Sequence, residues 1–262
     1  MMRAMTSAIA GLKAHQTAMD VVGNNIANVN TYGFKSSSTT FRDAMYQTTK
    51  GGTAGASNAA GSNPMQIGYG ASATGINVDT TQGGQDATGN AMDCYIDGQG
   101  YFEVKDSGGN VYYTRVGKLQ FDSSNNLTDG NGNLIMDSGG AAITKGANDT
   151  DIKISSDGTI TSVRSGASYT FSNKIGLVTF PNPGGLEEAG DSYYKQSVGS
   201  GAATLAAPSS TTGFLKTGVL ESSNVDLATE LSNMIVYERG YQANTKIITT
   251  ADEMLQTLVN MK

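Results

Sequence analysis

The chain has 262 residues and a formal charge of −6, from 17 basic and 23 acidic side chains. That length allows one large or two small domains with real cores, and the acidic balance excludes a general electrostatic attraction to nucleic acid. One histidine, one cysteine and no tryptophan leave little material for metal or nucleophilic chemistry, and no intrachain disulfide framework.

Met5, Ile9, Leu12, Met19, Val22, Ile26 and Val29 recur at three- and four-residue spacing and predict a helix over residues 2–28. Gly11 and Gly23 each weaken it by about 1 kcal/mol relative to alanine, so it is marginal alone. The polar run through Asn24, Asn25, Asn28 and Asn30 to Gly33 stops the helix near Asn28 to Asn30. Residues 31–74 then read as an extended arm anchored by Phe34, Phe41 and Tyr46, with a short helix expected around residues 40–46. From residue 50 to residue 74 the arm is a glycine-, serine- and alanine-rich loop, flexible by itself. A loop of that length is functional or disordered.

Residues 75–221 carry about a dozen short β-patterned segments, among them DCYID, YFEVK, VYYTRV, DIKIS and KIGLVTF. Asp97-Gly98, the run 107–110, the run 129–132, Asp157-Gly158 and the run 182–184 are the turn signals between them. Strands with no helical pattern between them predict an antiparallel domain. Gly199 to Thr212 is a second loose loop.

Residues 225–262 form the second helix, stepping by fours and threes through Leu227, Leu231, Met234, Tyr241, Ile248, Leu255 and Val259 to Lys262. Ile235, Ile247 and Leu258 widen this stripe, and Asn224 or Asp226 can cap the start. At about 1.5 Å per residue the helix is roughly 55 Å long. It needs a partner outside the β region, and the N-terminal helix supplies one. The first fifty residues carry more basic than acidic groups and the last forty the reverse, which suits pairing of the ends or contact with neighbours. The predicted fold is therefore α+β. A discontinuous helical coiled-coil domain, residues 1–30 and 225–262, encloses an arm, 31–74, and an inserted antiparallel all-β domain, 75–221.

No window approaches eighteen consecutive apolar residues, so no membrane-spanning helix and no membrane insertion is expected. The N-terminal stretch has no uninterrupted apolar core before Lys13, and no cleaved secretory signal is expected. Gly68 to Ala73 fits a relaxed dinucleotide fingerprint but follows no apolar strand and opens no helix. Asp129 begins a calcium-like loop whose sixth position is Leu134 and whose twelfth is Gly140, so a hairpin turn is the better reading. His15 reads as a solvated or interface residue, and Cys94 as a small core residue. No catalytic, cofactor-binding or metal-binding residue is assigned, and no enzyme or cofactor is expected.

Four stretches resemble the bacterial flagellar axial proteins of the rod and hook. They are Ser7 to Lys35 with its NNIANVNTYGFK run, Asp97 to Phe102 (DGQGYF), Tyr113 to Gly117 (YTRVG) followed by Phe121-Asp122, and Ser222 to Leu227 together with Met234 to Lys246. The resemblance runs end to end. It implies an inner coiled-coil of the terminal helices, an outward β domain, and export through the flagellar type III apparatus without a cleaved signal peptide. It also implies head-to-tail polymerisation with identical subunits into a hollow helical tube, in the flagellar hook or basal body. The implied assembly interface is Met5, Ile9, Leu12, Met19, Asn24, Asn25, Ile26 and Asn28 with Leu227, Leu231, Met234, Ile235, Tyr241, Ile248, Leu255 and Val259; Phe34, Phe41 and Tyr46 lie on the inter-subunit arm. Implied partners are the adjoining rod and hook–filament junction proteins, the hook cap protein and the export apparatus. Likeness in residues 248–262 and in the loop after Phe41 favours a short hook subunit, a flexible universal joint used in motility. The alternative is the distal rod protein, a rigid drive shaft. A secreted β-rich adhesin or binding module would also explain the strands, but not the stripes at both termini.

Overall fold

The structure is a computed structural model that describes residues 2–55, 60–146, 149–164 and 167–261. Lys262 of the C-terminal stripe and residues 56–59 of the expected loop lie outside the described residues. The chain divides into two compact units. Unit 1 comprises Met1–Ala27, Ser37–Val78 and Asp226–Lys262; unit 2 comprises Asn28–Ser36 and Asp79–Val225.

Unit 1 holds α1 (Met2–Ala27), four strands and α2 (Leu227–Asn260). α1 ends where its asparagine run begins to turn. Asp226 caps α2, its carboxylate accepting from the Ala228 N–H at 3.1 Å. At 34 residues α2 is about 51 Å long. The strands are β1 (Ser37–Asp43), β2 (Tyr46–Lys50), β3 (Met65–Gly68) and β4 (Ala71–Val78). β1 pairs antiparallel with β4, and β2 with β3. The short helix expected at residues 40–46 is therefore strand, because β4 pairs with the β-branched Thr39-Thr40 and with Phe41. Residues 31–74 contain β1 to β3 and the start of β4. Along β4 the small residues Ala71, Ala73 and Gly75 are half-buried, alternating with exposed neighbours. That period of two is a strand signature carried by size.

Unit 2 holds β5 (Gln85–Ala87), β6 (Cys94–Asp97), β7 (Tyr101–Lys105), β8 (Val111–Thr114), β9 (Leu119–Phe121), β10 (Leu127–Asp129), β11 (Leu134–Ile135) and β12 (Asp149–Ile154). It continues with β13 (Thr159–Arg164), β14 (Ala167–Lys174), β15 (Leu177–Thr179), β16 (Glu187–Gly190), β17 (Tyr193–Lys195), β18 (Thr204–Ala206), β19 (Phe214–Thr217) and β20 (Val219–Glu221). The main sheet runs β16-β17-β8-β7-β11-β10-β9, with β15 bridging β7 and β18; every pairing is antiparallel. The turns at 107–110, 129–132 and 157–158 close the hairpins β7–β8, β10–β11 and β12–β13. Asp97-Gly98 closes none, because β6 pairs with the distant β19.

β7 shows how the core is made. Phe102 and Val104 point into a cluster with Ile96, Leu119, Leu127, Ile135, Ile160 and Leu177, all buried. Tyr101 points the other way, into a second cluster with Tyr113, Val178, Phe180, Leu186 and Tyr194. Each such side chain contributes about 1.5–3 kcal/mol on full burial. Gly117 lets two backbones touch here. The Cys94 N–H donates to its carbonyl at 2.8 Å, and a Cβ at Gly117 would lie 1.7 Å from the Cys94 oxygen. Burial pushes the Cys94 thiol up to about 12, which leaves it an inert core residue.

Candidate assembly surface and its buried node

In unit 1 the helices run antiparallel, Gly11 lying opposite Asn244, His15 opposite Gly240 and Asn25 opposite Glu230. A Cβ at Gly240 would fall 2.6 Å from the His15 ring. That ring is held between Phe41 and Tyr237, at centroid distances of 5.8 and 6.2 Å. Asn25 is fully buried. Its amide donates to the Ser37 carbonyl at 2.8 Å and to Glu230 Oε1 at 3.0 Å, and its Oδ1 accepts from the Ser37 N–H at 3.0 Å. One carboxamide thus joins α1, β1 and α2. The fully buried positions of the helices are otherwise small: Ala8, Ala14, Ala18 and Val22 in α1 and Ala251 in α2.

The expected interface residues divide. Met5, Leu12, Met19, Ile26 and Asn28 of the N-terminal set, and Met234, Ile248 and Leu255 of α2, are half-buried in the single chain. Ile9, Asn24, Leu227, Leu231, Ile235, Tyr241 and Val259 are exposed, Ile235 to 58% and Val259 to 74%. The side of α2 that turns away from solvent carries Glu230, Met234, Tyr237, Asn244, Ile248, Ala251 and Leu255, so the stripe read from Leu227 shares Met234, Ile248 and Leu255 with the intramolecular seam and leaves its other members outside it. Phe34 is half-buried, while Phe41 and Tyr46 are exposed. The β2–β3 hairpin adds exposed Met45, Met65, Ile67 and Tyr69, a patch the sequence reading missed; Ala44, Met45, Tyr46, Gln47 and Tyr69 line a recess of about 600 Å³ there. Exposed apolar groups gathered in this way mark interaction surfaces.

In unit 2 the signature motifs meet at one buried point. Lys35, Arg115 and Glu221 are each at most 3% exposed. Lys35 Nζ lies 2.6 Å from Glu221 Oε1 and donates to the Thr81 carbonyl at 2.7 Å. Arg115 Nη1 is 3.6 Å from Glu221 Oε2, and its guanidinium stands 4.8 Å from the centre of the Tyr101 ring. The Gly33 N–H donates to the Glu221 carbonyl at 2.8 Å. Burial pushes the Lys35 ammonium below its ordinary value, with Glu221 opposing the shift. The NTYGFK, DGQGYF and YTRVG residues thus act as structural ties around Glu221, a residue that sequence reasoning did not single out. Asp129 likewise caps its own hairpin, accepting from the Asn131 and Asn133 N–H groups at 2.9 Å each.

Three family descriptions match the chain: "Flagella basal body rod protein" over residues 5–35, "Flagellar hook protein FlgE/F/G D1 domain" over 95–162, and "Flagellar basal body rod FlgEFG protein C-terminal" over 216–261. The chain is 43% identical to the flagellar basal-body rod protein FlgG of Bacillus subtilis, with all of both chains covered. It is 37% identical to the protein of the same name from Buchnera aphidicola subsp. Acyrthosiphon pisum, with 95% of each covered. It is 26% identical to the flagellar hook protein FlgE of Borreliella burgdorferi, over an alignment of 442 positions that covers both chains.

Proposed function

The chain belongs to the flagellar rod and hook protein family, and from that premise we propose that it is a rod subunit, the distal rod protein, which adds head-to-tail to identical copies in a hollow helical tube. The observation that carries this reading is the end-to-end match at 43% identity to a basal-body rod protein of equal span. The hook protein is more distant and needs an alignment far longer than this chain. The hook reading, drawn from likeness in residues 248–262 and in the loop after Phe41, gives way to it. A subunit that adds heterologously without closing makes an open filament. On this reading the exposed stripe of Leu227, Leu231, Ile235, Tyr241 and Val259, together with Ile9, is the face given to neighbouring copies. Phe41, Tyr46 and the β2–β3 hairpin add a second contact. The role is structural, with no reaction catalysed. The further partners are the adjoining axial proteins and the flagellar export apparatus.

Electron microscopy of the purified full-length chain, concentrated under salting-out conditions, tests this. Straight tubes support the rod. Curved tubes return the hook, and a chain that stays monomeric under every condition removes the assembly reading altogether.

A further inference from the structure

The chain passes between its two units at residues 27–28, 36–37, 78–79 and 225–226. Just inside unit 2, three of these passages are gathered by one side chain. Asn224 Oδ1 accepts from the Ser36 N–H at 2.7 Å. Its Nδ2 donates to the Asp79 carbonyl at 3.0 Å, to the Thr81 carbonyl at 3.3 Å and to Thr81 Oγ1 at 3.2 Å. The Asp79 N–H donates to the Ser36 carbonyl at 2.8 Å, pairing two of the same segments directly. Beneath this tie, Lys35 and Glu221 join the segments a second time, Glu221 Oε1 also accepting from the Gly83 N–H at 3.1 Å.

We propose that Asn224 is a positioning residue that locks the segments through Ser36, Asp79 and Val225 into one stem, so that none slides or twists without the others. The chemistry asks for asparagine. Only a neutral carboxamide offers an acceptor for the Ser36 N–H and two donors for carbonyls at that reach. Helix capping does not explain the residue, since Asp226 caps α2. A pull on any one segment is shared by all three, which suits a subunit that carries torque. The stem itself is a property of the single chain and stands independently of the rod reading.

Hydrogen exchange on the purified full chain tests it. In Asn224→Ala, residues 34–37, 79–82 and 222–225 should exchange faster together, on the order of tenfold, while the β7 amides stay protected. Asn224→Asp keeps the acceptor and loses the donors. It should retain protection at Ser36 while 79–82 opens. Should the alanine variant lose protection throughout unit 2, the aspartate variant decides by itself. Acceleration confined to 222–225 in the alanine variant, or an aspartate variant that exchanges like the unaltered chain, overturns the proposal.

Discussion

The two units bury their apolar residues in opposite ways. In unit 2 the large side chains, Ile96, Phe102, Leu119, Leu127 and Leu177, are shut away from solvent. In unit 1 the fully buried helix positions are mostly alanines, while Leu231, Ile235, Val236, Met254 and Val259 face water. Unit 2 closes on two clusters, with Tyr169, Val198 and Phe214 among the few large apolar side chains it leaves exposed. A helix pair that meets through small residues and presents its large ones outward is complete only when something covers them. The difference sets a unit whose largest apolar side chains are mostly enclosed beside one that leaves many of its own in water.

The largest effect should come from one substitution in each unit. Leu231→Asp should abolish polymers, yet shift monomer unfolding by no more than about 0.5 kcal/mol, because the side chain is already in water. Phe102→Ala should cost about 3–5 kcal/mol through the cavity it leaves. Urea unfolding with microscopy of the same samples reads both, and polymers persisting in Leu231→Asp would break the contrast. Next, Glu221→Gln leaves Lys35 and Arg115 buried without their carboxylate, at a cost of about 3 kcal/mol. Adding Lys35→Met should cost less than the two single losses combined, because it removes a charge that no longer has a partner; additive losses would show that the three groups do not act together.

Smaller effects distinguish the two sides of the helices. A Cβ at Gly23 meets nothing within 4 Å, so Gly23→Ala should stabilise by about 0.5–1 kcal/mol. Gly240→Ala should destabilise by about 1 kcal/mol or more, since its Cβ meets the held His15 ring. Thermal melts that moved in the same direction would contradict the seam. The smallest effect is electrostatic. The Lys174 ammonium, then the Thr159 hydroxyl, lower the Asp157 carboxyl to about 2 from its ordinary 3.8. A carboxyl depressed on folding stabilises above its unfolded value and loses that contribution as the pH falls through its folded one. The difference in melting temperature between the chain and Asp157→Asn should therefore shrink between pH about 4 and about 2. The pair is half exposed, so the whole effect is small.

The sequence made legible what depends on hydrophobic period and turn chemistry. The end of α1, the length of α2 and the hairpins at 107–110, 129–132 and 157–158 were all readable from it. β1 to β3 and the first half of β4 were not, because β4 there alternates Ala71, Ala73 and Gly75 with polar residues, a contrast of size that a hydrophobic count passes over. The inner side of α2 was read only in part: Met234, Ile248 and Leu255 of the stripe lie on it, while Tyr237, Gly240, Asn244 and Ala251 were not singled out. Leu227, Leu231 and Ile235 follow one another at four residues, and each step drifts about 40° around a straight helix. A stripe drawn through them leaves the seam of Tyr237, Gly240, Asn244 and Ala251. An apolar stripe states that a helix will be covered without stating by what. The Lys35–Arg115–Glu221 node was half visible, as motif residues whose common partner lay more than a hundred residues further along the chain.

Hydroxyl-radical footprinting of Leu231, Ile235 and Val259 in the monomer and in the assembled tube tests the central claim most directly. We expect all three to react freely in the monomer and to be protected in the tube, while Phe102 stays protected in both. Tubes in which these three side chains react as they do in the monomer would contradict the assignment of the outer α2 stripe as the face that subunits share.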